Sequence, residues 1–237
     1  INWTEPEWIT YPGVPVEHLY TNQIAPYYRA SQIYLGFPKR FLPDRNPTDH
    51  PARGLSDAVF MSSRDGKEFR RWTEAYIRPG LQKSRWVNRN NFVAWGLIET
   101  ESALADAPKE ISLYSAEAYY VGDGTRMRRF TTRLDGFVSI NAPSQGGEFV
   151  TEPIVFTGDA LFLNLSTSAA GSVELEVLDA DEKRIDGFGF DEFGVIFGDE
   201  IEMKIQPKDR RFGELAGRPV RLRMKLRDAD VFALRFG

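Results

Sequence analysis

A carboxylate inside an aromatic strand needs a reason. In "LYSAEAYY" Glu117 stands among tyrosines and small apolar residues, and a polar group held in such company has either a partner or a task. The partner would be solvent or a nearby arginine. The task would be acid or base chemistry. Two other stretches carry residues suited to a polyhydroxylated ligand. "EHLYTNQIAPYYR" supplies His18, Tyr20, Asn22, Tyr27, Tyr28 and Arg29, and "WVNRNNFVAWG" supplies Arg89, Asn90, Asn91 and Trp95. Arginine and amide groups grip vicinal hydroxyls, and aromatic faces stack on the C–H surface of a sugar ring. Arg89, Asn90, Trp95, Tyr27, Tyr28 and His18 therefore form the candidate substrate-binding set, with Glu117 as the candidate catalytic carboxylate. Plainer readings stand beside each: a loop salt bridge for Arg89 and Asn90, a satisfied structural histidine for His18, a surface position for Glu99 and Glu101.

Other chemistries lack their residues. Cysteine is absent, which excludes disulfides, thiolate zinc sites and cysteine nucleophiles. His18 and His50 are isolated and make no metal-ligand spacing, and the Asp179–Asp181 pair falls short of the six or more oxygens calcium takes, so it reads as a solvated turn. There is no GxSxG, P-loop or GxGxxG motif. Neither a metal nor a cofactor is expected. The 237 residues are 42% hydrophobic and 27% charged with net charge −4, a globular composition with no field to draw nucleic acid or an anionic membrane. No stretch approaches the ~20 apolar residues of a membrane-spanning helix. The cellular location stays open, with an extracellular or periplasmic one favoured.

The elements that must hold these residues are strands. Asp65-Gly66 lies between the alternating runs "DAVFMSS" and "KEFRRW", and Asp135-Gly136 between Arg126–Leu134 and Phe137–Ile140; Asp-Gly between such runs signals a hairpin with positive φ at both turn positions. If Ile1 also follows such a turn, the post-turn positions 1, 67 and 137 are spaced 66 and 70 residues apart. This recurrence predicts that Ile1–Trp3 is the last strand of an earlier repeat, with Trp3 at the position of Phe69. The first full repeat would hold strands Glu17–Asn22, Ser31–Arg40, Asp57–Ser62 and Lys67–Trp72. The second would hold Asn91–Thr100, Ile111–Tyr119, Arg126–Leu134 and Phe137–Ile140. Four antiparallel strands per repeat suit a propeller blade, although ~70 residues exceeds the ~40–50 of common blades. The extra length falls in the Pro-rich and polar loops "FLPDRNPTDHPARGLS" and "IRPGLQKSRWVNRN". After "NAPSQGG" six shorter runs, "EFVTEPIVF", "ALFLNLSTS", "GSVELEVLD", "EIEMKIQP", "VRLRMKLRD" and "DVFALRF", signal a β-sandwich, with at most a helical turn at "GELAGRP" and a bulged loop at "GFGFDEFG". The predicted fold is all-β: a partial β-propeller of two four-stranded blades plus a remnant strand over 1–142, then an antiparallel β-sandwich over 143–237.

The stretches "YYRASQIYLGFPKRF", "SRDGKEF", "RRFTTRLDGFVSI" and "GGEFVTEPIVFTGDALFLNLSTSAAGSVELEVLDADEKRIDGF", followed by "LAGRPVRLRMKLRDADVFALRF", resemble the C-terminal part of glycosidase-like proteins in which a five-bladed propeller, similar to that of glycoside hydrolase families 32 and 43, precedes a sandwich. Within "LDADEKRIDG" the chain departs from that pattern, with Glu182 and Lys183 where a turn glycine would be natural. The resemblance implies hydrolysis of a glycosidic bond by carboxylates on the inner strands of the first three blades. On this reading those strands precede Ile1, so the catalytic pair lies largely outside the chain and no catalytic residue transfers to it. Such chemistry needs two carboxyls ~5–5.5 Å apart for retention or ~6.5–9.5 Å for inversion. The alternative is a non-catalytic carbohydrate-binding or structural accessory module. Expected partners are carbohydrate and either a missing N-terminal propeller segment or a second copy of the chain, since blades bury their faces against neighbours.

Overall fold

The computed structural model describes residues 2–119 and 121–237 and is all-β, with antiparallel pairing between its named strands. The chain divides into two compact units, Ile1–Thr100 with Ile111–Thr131, and Glu101–Glu110 with Thr132–Gly237.

The first unit is built on β1 (His18–Tyr20), β2 (Ala25–Tyr27), β3 (Ala30–Gly36), β4 (Lys39–Leu42), β5 (Leu55–Ser63) and β6 (Arg70–Ile77). β5 is buried almost throughout and pairs with β3, β4 and β6. β1 lies on β4 and β2 on β3, so four runs lie side by side in chain order. The run expected over Ser31–Arg40 breaks at Pro38, which has no N–H to donate; its carbonyl instead accepts from the Val59 amide at 3.1 Å. The Asp65-Gly66 hairpin joins β5 to β6, with Ser62 opposite Arg70. Only Gly66 takes a positive φ, 74°, in a loop longer than the two residues expected. The Asp65 carboxylate supports this loop by accepting from the Lys67 and Glu68 amides, both at 2.9 Å, and these bonds hold its pKa below the usual range.

Residues 2–9 form no strand. Thr10 bridges Glu68 in parallel, and Trp3 is 88% exposed where Phe69 is fully buried. The expected outer strand is therefore not formed by Asn2 or Trp3, and Ile1 lies outside the described residues. A three-stranded sheet follows in the order β7 (Ile98–Thr100), β8 (Glu110–Glu117), β9 (Arg126–Arg133). Ahead of β7, only isolated pairing joins residues 91–94 to β8, as in the Val93–Ser115 bridge. The Asp135-Gly136 turn puts the positive φ, 56°, on Asp135 rather than Gly136. Its downstream flank does not return on β9: β10 (Ile140–Ala142) pairs with β14 (Val220–Phe236) instead.

In the second unit, β10, β11 (Gly147–Val150), β12 (Leu161–Asp179), β13 (Asp199–Ile205) and β14 (Val220–Phe236) form one hydrogen-bonded sheet. Four of the shorter predicted strands merge here into two long ones. β12 and β14 pair from Leu161 opposite Phe236 to Asp179 opposite Val220, with register shifts near Asn164 and between Thr167 and Ser172. Gly171 sits at the second shift because a Cβ there would lie 2.4 Å from the Asp228 carbonyl oxygen. Inward residues of β12 and β14, among them Leu163, Val173, Leu175, Leu222 and Met224, build one apolar core with Phe156, Phe188 and Phe212. "GFGFDEFG" contains a one-turn helix, α1 (Phe190–Phe193), and Phe212–Leu215 forms a 3₁₀ turn. In the hairpin after β12, Glu182 adopts φ 64° in place of a glycine, while the Asp179 carboxylate accepts from the Asp181 and Lys183 amides at 2.9 Å.

Candidate functional site

The first unit carries an arginine–carboxylate network beside a cleft. Arg40 of β4 lies opposite Asp57 of β5, so the two side chains share a face of the sheet. Its guanidinium forks onto that carboxylate, Nε donating to Oδ1 at 2.9 Å and Nη2 to Oδ2 at 2.7 Å. Arg40 Nη1 also donates to Glu17 Oε1 at 3.2 Å and to the Thr73 carbonyl at 2.7 Å. Glu17 in turn accepts from the buried Arg71, which donates as well to the Pro15 carbonyl at 2.8 Å. The bond to Asp57, with Glu17 beside it, raises the Arg40 pKa, so this cation is fixed in charge and place.

The adjacent cleft has a volume of about 580 Å³ and is lined by Glu17, Arg40 and Asp57 together with Glu74, Arg78 and Trp86. That volume falls within the ~300–1,000 Å³ of small-molecule sites. Trp86 is 36% exposed and anchored by Nε1 donating to the Gly80 carbonyl at 2.7 Å. The cleft thus offers a held cation, fixed carboxylate acceptors and an aromatic wall.

The loop over 83–91 bears Arg89 and Asn90. Asn90 is fully buried: its side-chain amide donates to the Val87 carbonyl at 3.0 Å, and its side-chain oxygen accepts from the Tyr119 amide at 2.9 Å. Asn91 donates to the Ser56 and Arg85 carbonyls and accepts from Arg85 Nε at 2.9 Å. Ser56 Oγ closes the clamp on the Asn90 carbonyl at 2.8 Å. These bonds hold Arg89 at φ 69°, with its guanidinium 5.4 Å from the centre of the Tyr119 ring and Nη1 3.4 Å from the hydroxyl oxygen. Asn90 shapes the loop, and Arg89 is the side chain the loop presents.

The other sequence candidates are scattered. His18, on β1, is exposed and meets Phe41 edge-on at 6.5 Å. Tyr27 is buried against Tyr28, whose hydroxyl donates to Glu99 at 3.1 Å. Trp95 is 70% exposed and lines neither this cleft nor the smaller one beside Arg89. Glu117 has the arginine partner anticipated for it: Arg128 Nε and Nη2 donate to its two oxygens at 2.6 and 2.8 Å. Those bonds lower its pKa, aided by the charges of Arg128, Arg126 and Arg85 and opposed by burial. A carboxylate so held is ionised at neutral pH and has no proton to give as a general acid.

Sequence reasoning missed Arg40, Asp57, Glu17 and Trp86. One signal was present: Asp57 opens the apolar run "SDAVFM", as unusual a place for a carboxylate as that of Glu117. Among the described residues no group of three or more His, Asp or Glu could hold a metal ion, and no helix is long and apolar enough to cross a membrane. Comparison of the chain with protein-family models, with curated proteins and with solved structures found no match.

Proposed function

We propose that this chain is a carbohydrate-binding part of a glycosidase-like protein, and that the 580 Å³ cleft of the first unit is where the sugar sits. The observation that carries the reading is the juxtaposition, in one cleft, of Arg40 locked by Asp57 and Glu17 with the indole of Trp86. Four of the five Arg40 N–H groups are taken by Asp57, Glu17 and the Thr73 carbonyl, which leaves one Nη2–H and the fixed carboxylates as groups that meet a hydroxyl-bearing ring without reordering, and an indole gives it a face to stack on. The four antiparallel runs in chain order support the blade assignment behind the glycosidase resemblance.

Binding rather than cleavage is the activity assigned to this chain. Glycoside hydrolysis takes two carboxyls in acid and base or nucleophile roles. Glu17 and Asp57 are engaged by arginines, and the remaining carboxylate lining the cleft, Glu74, accepts from Thr73 Oγ1 at 3.3 Å. A hydrolytic role would therefore draw its carboxyl pair from outside these residues. The test is titration of the chain with neutral oligosaccharides while following the Trp86 indole N–H by NMR. A saturable shift of that N–H in the parent, together with loss of calorimetric binding in Trp86→Ala, supports the assignment. No shift with any glycan, or turnover of a glycan by the chain itself, overturns it.

A further inference from the structure

The other face of β4 has opposite chemistry. Lys39 and Arg40 are neighbours, so their side chains leave the strand on opposite faces. Arg40 meets Asp57, whereas Lys39 stands in register with Tyr20 of β1 and Ala58 of β5. Its Nζ lies 4.9 Å from the centre of the Tyr20 ring and 6.0 Å from that of Phe92. A second cleft, of about 140 Å³, opens here and is lined by Thr21, Lys39, Arg89, Phe92 and Tyr119. Its lining contains two cations and no carboxylate.

That arrangement is unfavourable as it stands. Burial, and then the charge of Arg89, lower the Lys39 pKa, so the structure holds an ammonium where its charge is disfavoured. Lys39 makes no ion pair among the described residues. The Asn90 and Asn91 bonds nevertheless fix the loop that brings Arg89 to this place. We propose that the cleft is a binding site for a small oxyanion group, a carboxylate or a sulfate, held between Lys39 and Arg89. An anion there relieves the repulsion of both cations at once, and the walls of Phe92 and Tyr119 strengthen the attraction by excluding water. At about 140 Å³ the site suits one charged group rather than an entire sugar, unlike the larger cleft behind it. The inference stands on this face of the sheet and does not depend on what the larger cleft binds.

Calorimetric titration of the chain at low ionic strength with sodium sulfate, sodium glucuronate and glucose tests it. Either anion binds saturably and glucose does not compete; sulfate and glucuronate binding alike identify a site for the free group, and glucuronate alone identifies an acidic sugar as its carrier. Lys39→Met weakens the anion about tenfold or more, the loss of one charge-assisted contact, while Lys39→Arg retains it. Affinity also falls as pH rises toward, but below, the ordinary lysine range, because Lys39 loses its proton early. Absence of binding by both anions, an unchanged Lys39→Met, or an affinity constant up to that range overturns the proposal; the pH series decides it even where the Met variant does not fold.

Discussion

The two units bury different things. In the second, the interior is a continuous apolar cluster from Ala142 to Val231, and the buried polar side chains among the described residues are Asn164, bonded to the Leu134 carbonyl, and Glu176, paired with Arg223. In the first, Ser56, Asp57, Arg71, Arg85, Asn90, Asn91 and Glu117 are all buried, most of them joined to one another or to main-chain carbonyls. Burying a polar network is favourable only when nearly every member is satisfied, so it rigidifies what it holds without adding much stability. Both units bury apolar side chains, and the first adds a polar interior that fixes Arg40 and the loop bearing Arg89 in place.

The largest effect should come from the apolar side. Leu163 is fully buried in β12, and Leu163→Ala should destabilise the second unit by about 2–5 kcal/mol. Denaturant unfolding checks the loss, and ligand binding by the folded variant should match that of the parent. A variant that loses binding while still folded would erase the contrast between the units. Asn91→Ala comes next. It strands Arg85 Nε and the Ser56 carbonyl and leaves alanine at φ 64°, a loss of about 1–3 kcal/mol. Unlike Leu163→Ala it should also weaken binding at Arg89, because the loop presenting that residue is loosened.

The smallest effect is a pH dependence. Glu117 has a folded-state pKa below its unfolded one, so its contribution is fully present above the unfolded value and is lost as pH falls through the folded one. Arg128→Gln should reduce this acid-side dependence, Arg126 and Arg85 still acting on Glu117, and should lower stability at pH 7 by about 1 kcal/mol, since the Arg128 end of the pair is 38% exposed and screened while Glu117 is buried. Parallel acid-unfolding curves of parent and variant check it; identical slopes would mean that Glu117 is stabilised by something other than Arg128.

Much of the sheet was readable from alternation and turn residues, because period-two burial leaves its mark on every strand. The runs over 17–72 and the strands Glu110–Glu117 and Arg126–Arg133 fall close to where apolar and polar residues alternate. What alternation does not encode is where a strand bends without ending. "ALFLNLSTS" and "GSVELEVLD" read as two strands because serine and glycine interrupt the run at short spacing, yet the chain continues through a bulge made room for by Gly171. Asp135-Gly136 likewise reads as a hairpin, but Ile140–Ala142 finds its partner in β14, some ninety residues later, a choice no local signal makes.

The site was less legible for a related reason. Arg89 and Asn90 could be singled out because they cluster in sequence, although only the fold shows that Asn90 builds the loop and Arg89 is displayed by it. Arg40 and Asp57 are seventeen residues apart and become a pair only through the β4–β5 register. Residues two apart on a strand share a face, but partners across strands are invisible until the pairing is known.

Carbohydrate binding in the large cleft through Arg40 and Trp86 is the proposal with most at stake. A glycan array probed with the parent chain, with Trp86→Ala and with Leu163→Ala tests it most directly. The expected result is a defined set of glycans bound by the parent and by folded Leu163→Ala, with signal lost in Trp86→Ala. An array on which the parent binds nothing, or on which Trp86→Ala binds as the parent does, would contradict it.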